Sequence, residues 1–160
     1  MIKRTVFSAV LLVVMTSIFA AIAWAEMDVS LFRQTDAVGP EKSADLYMLN
    51  YEIVPDKDRV INPAVTLGVL YDREPQDLYM KVGLGARLKY KSFYIPISGT
   101  IIPGGGRIKG LATASAYLET GIGVEVIKNL SAEFRHISSP FDGSGHDDKG
   151  LNFIGIRYSF

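Results

Sequence analysis

The sequence contains no cysteine. That absence excludes a disulfide staple, a zinc–thiolate site and a cysteine nucleophile. Histidine is scarce: His136 and His146 are the two in the chain, too few for a histidine-rich metal site. Neither sign of charge predominates, since 17 Lys and Arg residues face 17 Asp and Glu residues. A chain so balanced is a poor bulk electrostatic partner for nucleic acid. Past Ala25 there is no apolar run long enough for a helical membrane span. The glycine-rich stretch Pro103-Gly104-Gly105-Gly106-Arg107 lacks the Gly-Lys-Ser/Thr of a phosphate loop. The segment from Gly143 to Asp148 has oxygen ligands for a cation but not the EF-hand spacing, so a solvated loop is the simpler reading. No cofactor and no metal are expected.

What is present begins with a leader. Lys3 and Arg4 precede an apolar core from Val6 to Ile22, and Ala23-Trp24-Ala25 offers small residues where a signal peptidase reads. Cleavage after Ala25 is expected, leaving residues 26–160 as one exported domain; a retained membrane anchor is the alternative. Losing Lys3 and Arg4 leaves that domain at about minus two.

The rest of the sequence alternates between apolar and polar residues with period two, the signature of strands. Candidate strands run from Asp28 to Arg33, Asp45 to Ile53, Val60 to Tyr71, Asp77 to Leu88, Phe93 to Ile102 and Leu111 to Val126. Two more flank the loop within Leu130–Phe160. The fourth is the clearest: Leu78, Met80, Val82, Leu84, Ala86 and Leu88 share one face, and Tyr79, Lys81, Gly83, Gly85 and Arg87 the other. A face mixing charges, tyrosines and glycines suits the crowded lumen of a small barrel. The connections alternate between longer ones of about 5–12 residues and short turns of about 2–5, as in outer-membrane barrels with long loops outside the cell. The predicted fold is therefore all-β, an eight-stranded antiparallel up-and-down transmembrane barrel with no pore. Lys81, Arg87, Glu119, Glu125, Glu133, Arg135 and Arg157 are expected to pair inside it. A soluble lipid-carrying barrel would instead turn the apolar faces inward.

The closing hairpin carries the candidate chemistry. On its first strand Leu130, Ala132, Phe134, His136 and Ser138 have one parity, and Ser131, Glu133, Arg135 and Ile137 the other. The apolar parity faces lipid, which puts His136 and Ser138 on the outer surface near the long last loop. Pairing Ser138 opposite Asn152 and His136 opposite Ile154 would bring Asn152 to the same face. A serine hydroxyl needs a base to become a nucleophile, and a histidine needs a partner to fix its tautomer. Ser138, His136 and Asn152 can fill those three roles. The competing reading is a strand that has simply left the hydrocarbon at Ile137.

The stretch FRHISS…KGLNFIGIRYSF, over residues 132 to 160, resembles the C-terminal hairpin of the lipid A 3-O-deacylase family, the PagL-type outer-membrane acyl hydrolases. The last strand, with alternate apolar positions and a terminal Phe160, also resembles the recognition signal of bacterial outer-membrane barrels. The first resemblance implies hydrolysis of an ester-linked acyl chain of lipid A (lipopolysaccharide) in the outer leaflet. It makes Ser138 the nucleophile and His136 the general base. Two departures stand out. The family often has Asn directly after the serine, where this chain has Ser139. Its third member can be a glutamate near the start of the last strand, where this chain has Asn152. Asp147 or Asp148 in the loop are alternative acids. Arg73, Arg107, Lys109 and Lys149 are candidate contacts for lipid phosphates or ordinary solvated charges. The alternative function is a non-catalytic barrel, structural or adhesive; dimerisation is left open.

Overall fold

The computed structural model describes residues 26–35, 46–55, 59–73, 76–104, 108, 111, 116–138 and 150–160. Eight strands follow one another: β1 Glu26–Thr35, β2 Leu46–Val54, β3 Ile61–Asp72, β4 Asp77–Tyr90, β5 Phe93–Ile101, β6 Ala116–Ile127, β7 Leu130–Ser138 and β8 Leu151–Ser159. Each pairs antiparallel with its neighbour in sequence, and β1 pairs with β8 to close the barrel. Closure gives every strand two partners and removes the open edges that lipid does not tolerate. β2 and β3, β4 and β5, and β6 and β7 are joined at one end of the barrel; β1 and β2, β3 and β4, β5 and β6, and β7 and β8 are joined at the other. Lys91 and Asn129 take positive φ of 55° and 68° in the two tightest turns, the backbone that two-residue hairpins demand.

Alternation sets which side chains go in. Met80 is 70 % exposed while Lys81 beside it is 1 % exposed. Leu31, Leu49, Leu67, Leu84, Ile101, Ile122 and Ile156 continue the exposed apolar band around the outside. A polar inside beneath an apolar outside is the arrangement of a transmembrane barrel.

The interior has two layers. The first is ionic: Lys81, Arg87, Arg135 and Arg157 meet Asp28, Glu52, Glu119 and Glu133. Glu52 is the hub, accepting from Arg135 at 2.5 Å, Arg87 at 2.7 Å and Arg157 at 3.0 Å. Nearer the long-loop end the layer is apolar: Leu46, Tyr117, Ile137, Leu151 and Phe153 pack with Ile108 and Leu111 from the connection between β5 and β6. A chamber of about 160 Å³ reaches in from the short-turn end as far as Arg87 and Arg157, and the two layers close the lumen above it.

Several sequence expectations need correcting. β1 is not a short strand from Asp28 to Arg33 but spans Glu26–Thr35, because it is paired along both sides, by β2 and β8. β6 begins at Ala116, not at Leu111. Leu111 is drawn instead into the apolar layer, where burial outweighs extending the ladder. Glu125 is exposed at the rim rather than paired in the core, beside the bulge that shifts the β6–β7 register between Glu125 and Ile127.

Candidate active site

β7 and β8 present their outward residues in rows. Phe134 lies opposite Ile154, and His136 opposite Asn152. This corrects the expected register, Ser138 opposite Asn152, by two residues. The observed pairing puts Ile137 against Leu151 inside the apolar layer. It also sets Glu133 opposite Gly155, so a bulky buried carboxylate faces no side chain across the ladder. A shift by two keeps parity, so the outward face is the one anticipated.

The corrected register brings His136 and Asn152 into contact. His136 Nδ1–H donates to Asn152 Oδ1 at 2.7 Å. An amide oxygen can only accept, so the ring proton sits on Nδ1 and the Nε2 lone pair is left for chemistry. Asn152 is itself tied down, because Thr35 Oγ1 donates to its backbone carbonyl at 3.3 Å. On the far side of the histidine lies Thr120. A polar row, Thr35–Asn152–His136–Thr120, thus crosses four strands at the long-loop end of a largely apolar exterior. All four residues are half-buried.

Ser138 stands one step further toward the loops on the same face, half-buried and opposite Leu118. Among the described residues it makes no hydrogen bond to His136. The imidazole nevertheless leans toward the serine's level. Gly150 precedes β8, and a Cβ built on it would lie 2.5 Å from His136 Cε1 and 2.8 Å from Nε2. Nε2 therefore sits over Gly150, at the level where the ladder would place Ser138. The site needs glycine here twice over, for the close approach and for a φ of +58°. Replacing Gly150 by Ala should push the ring off Asn152; under the esterase reading proposed below, that displacement lowers hydrolysis about 100-fold, the usual result of misplacing a catalytic group by an ångström. The barrel should still close, read as heat-modifiable migration on a gel. An unchanged rate in Gly150→Ala would show that the ring's seat is irrelevant.

Below the polar row an apolar hollow of about 300 Å³ opens on the outer face, lined by Phe93, Ile122, Val124, Ala132, Phe134 and Ile154. Its depth comes from the small side chain of Ala132, set among the larger Val124, Phe134 and Ile154. Thr35, Thr120 and Gly150 were not singled out by the sequence reading; their outward parity or turn position was visible, but their convergence depends on register. Ser139, Asp147 and Asp148, like Arg107, Lys109, His146 and Lys149, lie outside the described residues. Arg73 is exposed beside β3 at the long-loop end. Among the described residues no group of three His, Asp or Glu side chains could hold a metal.

No family model matches the chain, and no curated protein matches it. Solved structures similar to it include two membrane barrels. One comes from the de novo design of transmembrane β-barrels; it is 14 % identical, with 86 % of this chain and 96 % of that one covered and a TM-score of 0.49. The other is the Yersinia pestis outer membrane protein Ail in a phospholipid bilayer nanodisc, 14 % identical, covering 85 % of this chain and 99 % of that one at a TM-score of 0.48.

Proposed function

We propose that the protein is an outer-membrane esterase that removes an ester-linked acyl chain from lipid A in the outer leaflet. The single observation that carries this reading is the His136–Asn152 hydrogen bond on the lipid-facing surface. An apolar exterior has no structural use for a half-buried histidine with a fixed tautomer, whereas a hydrolase does. In this reading His136 Nε2 takes the proton of Ser138 Oγ as the oxygen attacks the acyl carbonyl. Collapse of the tetrahedral intermediate breaks the ester C–O bond, and His136 returns the proton to the departing alkoxide. Water, activated by the same nitrogen, then frees the acid from Ser138. The hollow beneath the row offers the acyl chain an apolar bed continuous with the membrane. The resemblance of residues 132 to 160 to the lipid A 3-O-deacylase hairpin points the same way.

Mass spectrometry of lipid A from cells making the wild type or Ser138→Ala tests the assignment. The wild type should lose one acyl chain and the variant none; the same lipid A from both would refute it. Asn152 should also limit the rate, because an amide orients the imidazole without offsetting the charge of the imidazolium. Replacing aspartate by asparagine in a serine-protease triad costs about 10⁴-fold. The reverse change here, Asn152→Asp, should therefore speed hydrolysis at least about tenfold. A slower Asn152→Asp enzyme would mean that Asn152 does not act through His136. One observation favours a second reading, a non-catalytic structural or adhesive barrel: Ser138 and His136 are not hydrogen-bonded among the described residues. Catalytic hydrogen bonds are often long without substrate, so hydrolysis decides between the two.

A further inference from the structure

Attack by Ser138 on an ester puts a negative charge on the former carbonyl oxygen, and that charge needs a hydrogen-bond donor. The two flanks of β7 differ at this point. On the β8 flank stands the imidazole: Nδ1 is bound to Asn152, and Cε1 and Nε2 lie over Gly150, which precedes β8 at the level of Ser138. On the β6 flank Ser138 lies opposite Leu118, and His136 opposite Thr120. The outward residues on either side of Thr120 along β6 are Leu118 and Ile122, both exposed and apolar. Thr120 is therefore the polar side chain on that flank among the described residues. It is half-buried, and its hydroxyl makes no hydrogen bond among them. A hydroxyl facing hydrocarbon without a partner is unfavourable, and valine would fill the same space without that cost.

We propose that Thr120 Oγ1–H is the oxyanion donor of this site, a further catalytic residue; the assignment rests on the esterase reading. A threonine hydroxyl is carried on Cβ itself, so the register places it to within one bond, whichever rotamer it takes. Thr120 and Ser138 are diagonal neighbours on one face of the β6–β7 pair, about 7–8 Å apart. A carbonyl group bonded to Ser138 Oγ and one hydrogen bond of about 2.7–3.1 Å span that gap. The lean of the ring toward β8 leaves the β6 side to the carbonyl oxygen. As Ser138 Oγ bonds the carbonyl carbon, its proton passes to His136 Nε2. The C=O electron pair moves onto the oxygen, and Thr120 donates to it. Expulsion of the alkoxide, which takes the proton back from His136, returns the pair to the C=O bond. The contact strengthens as charge develops, so it lowers the barrier without tightening the binding of substrate.

The test compares wild type, Thr120→Val and Thr120→Ser as full-length protein in detergent, with purified lipid A as substrate and decylboronic acid as inhibitor. Valine keeps the shape and removes the hydroxyl; serine restores it. The boronic acid adds to Ser138 Oγ as the serine proton passes to His136, giving a tetrahedral boronate with one oxygen in the oxyanion position. Thr120→Val should lower kcat about 10²–10³-fold, the range for removing one oxyanion donor, with KM unchanged. It should also weaken inhibition by the boronic acid at least about tenfold, because that adduct mimics the transition state. Thr120→Ser should recover most of both. All three should show the heat-modifiable migration of a closed barrel, since position 120 faces outward. Equal kcat in wild type and Thr120→Val overturns the proposal. So does a raised KM at unchanged kcat, which would make Thr120 a grip on bound substrate. A lower kcat with unchanged boronate inhibition also overturns it, because the role would then be structural. The two readings fail in different ways. A wild type that releases no acid from lipid A refutes the esterase and the donor with it; an active wild type indifferent to Thr120→Val refutes the donor alone.

Discussion

His136→Ala should lower lipid A hydrolysis by about 10⁴-fold or more, and adding Ser138→Ala should lower it little further. The magnitude follows from serine hydrolases, where removing the base or the nucleophile alone costs about as much as removing the whole triad. Such residues act as a unit: a hydroxyl with no base is not a nucleophile, and a base with no hydroxyl has no proton to take. The effect should fall on kcat, because neither side chain grips the lipid before reaction. The outward position of His136 makes the test clean. Half-buried on the exterior, it contributes little packing, so His136→Ala should leave the barrel's heat-modifiable migration unchanged. Independent, additive losses from the two substitutions would mean that His136 and Ser138 do not act on one another.

The second large effect is on stability. Glu52→Ala should destabilise the barrel by about 3–5 kcal/mol, the range found when one partner of a buried ion pair is removed. Glu52 is nearly fully buried and is the carboxylate that Arg87, Arg135 and Arg157 share. Its loss leaves three guanidinium groups short of an acceptor in an ionic layer of four cations and four carboxylates. Glu119→Ala should cost less, because Arg135 keeps Glu52 and Glu133 while Lys81 alone loses its carboxylate partner. Urea unfolding in lipid vesicles reads both. Glu52→Ala no worse than Glu119→Ala would show that the network has no hub.

Much of this was legible in the residues. Period-two alternation named the eight strands and assigned Lys81, Arg87, Arg135 and Arg157 to the lumen, because parity is a local property. Register is not local, and the site depends on it. His136 meets Asn152 rather than Ile154 because Ile137 pairs with Leu151 and Glu133 with Gly155, choices made on the opposite face of the same strands. Glu52 was not among the inward charges read from the sequence, and its rank as hub required three other strands to be placed. The apolar inner layer was less visible still. Ile108 and Leu111 read as loop and strand start, and their burial follows from the barrel mouth they fill. The outward parity of Thr120 was visible, but its place beside His136 depends on the β6–β7 register.

The central claim is that Ser138 is a nucleophile made reactive by His136, and covalent labelling tests it most directly. A fluorophosphonate carrying an alkyl chain, added to the full-length protein in detergent or vesicles, should phosphonylate Ser138. Peptide mass spectrometry should find the adduct there in the wild type and at a rate lowered by orders of magnitude in His136→Ala. Absence of the adduct from Ser138 in an intact barrel, or equal labelling with and without His136, would contradict the account.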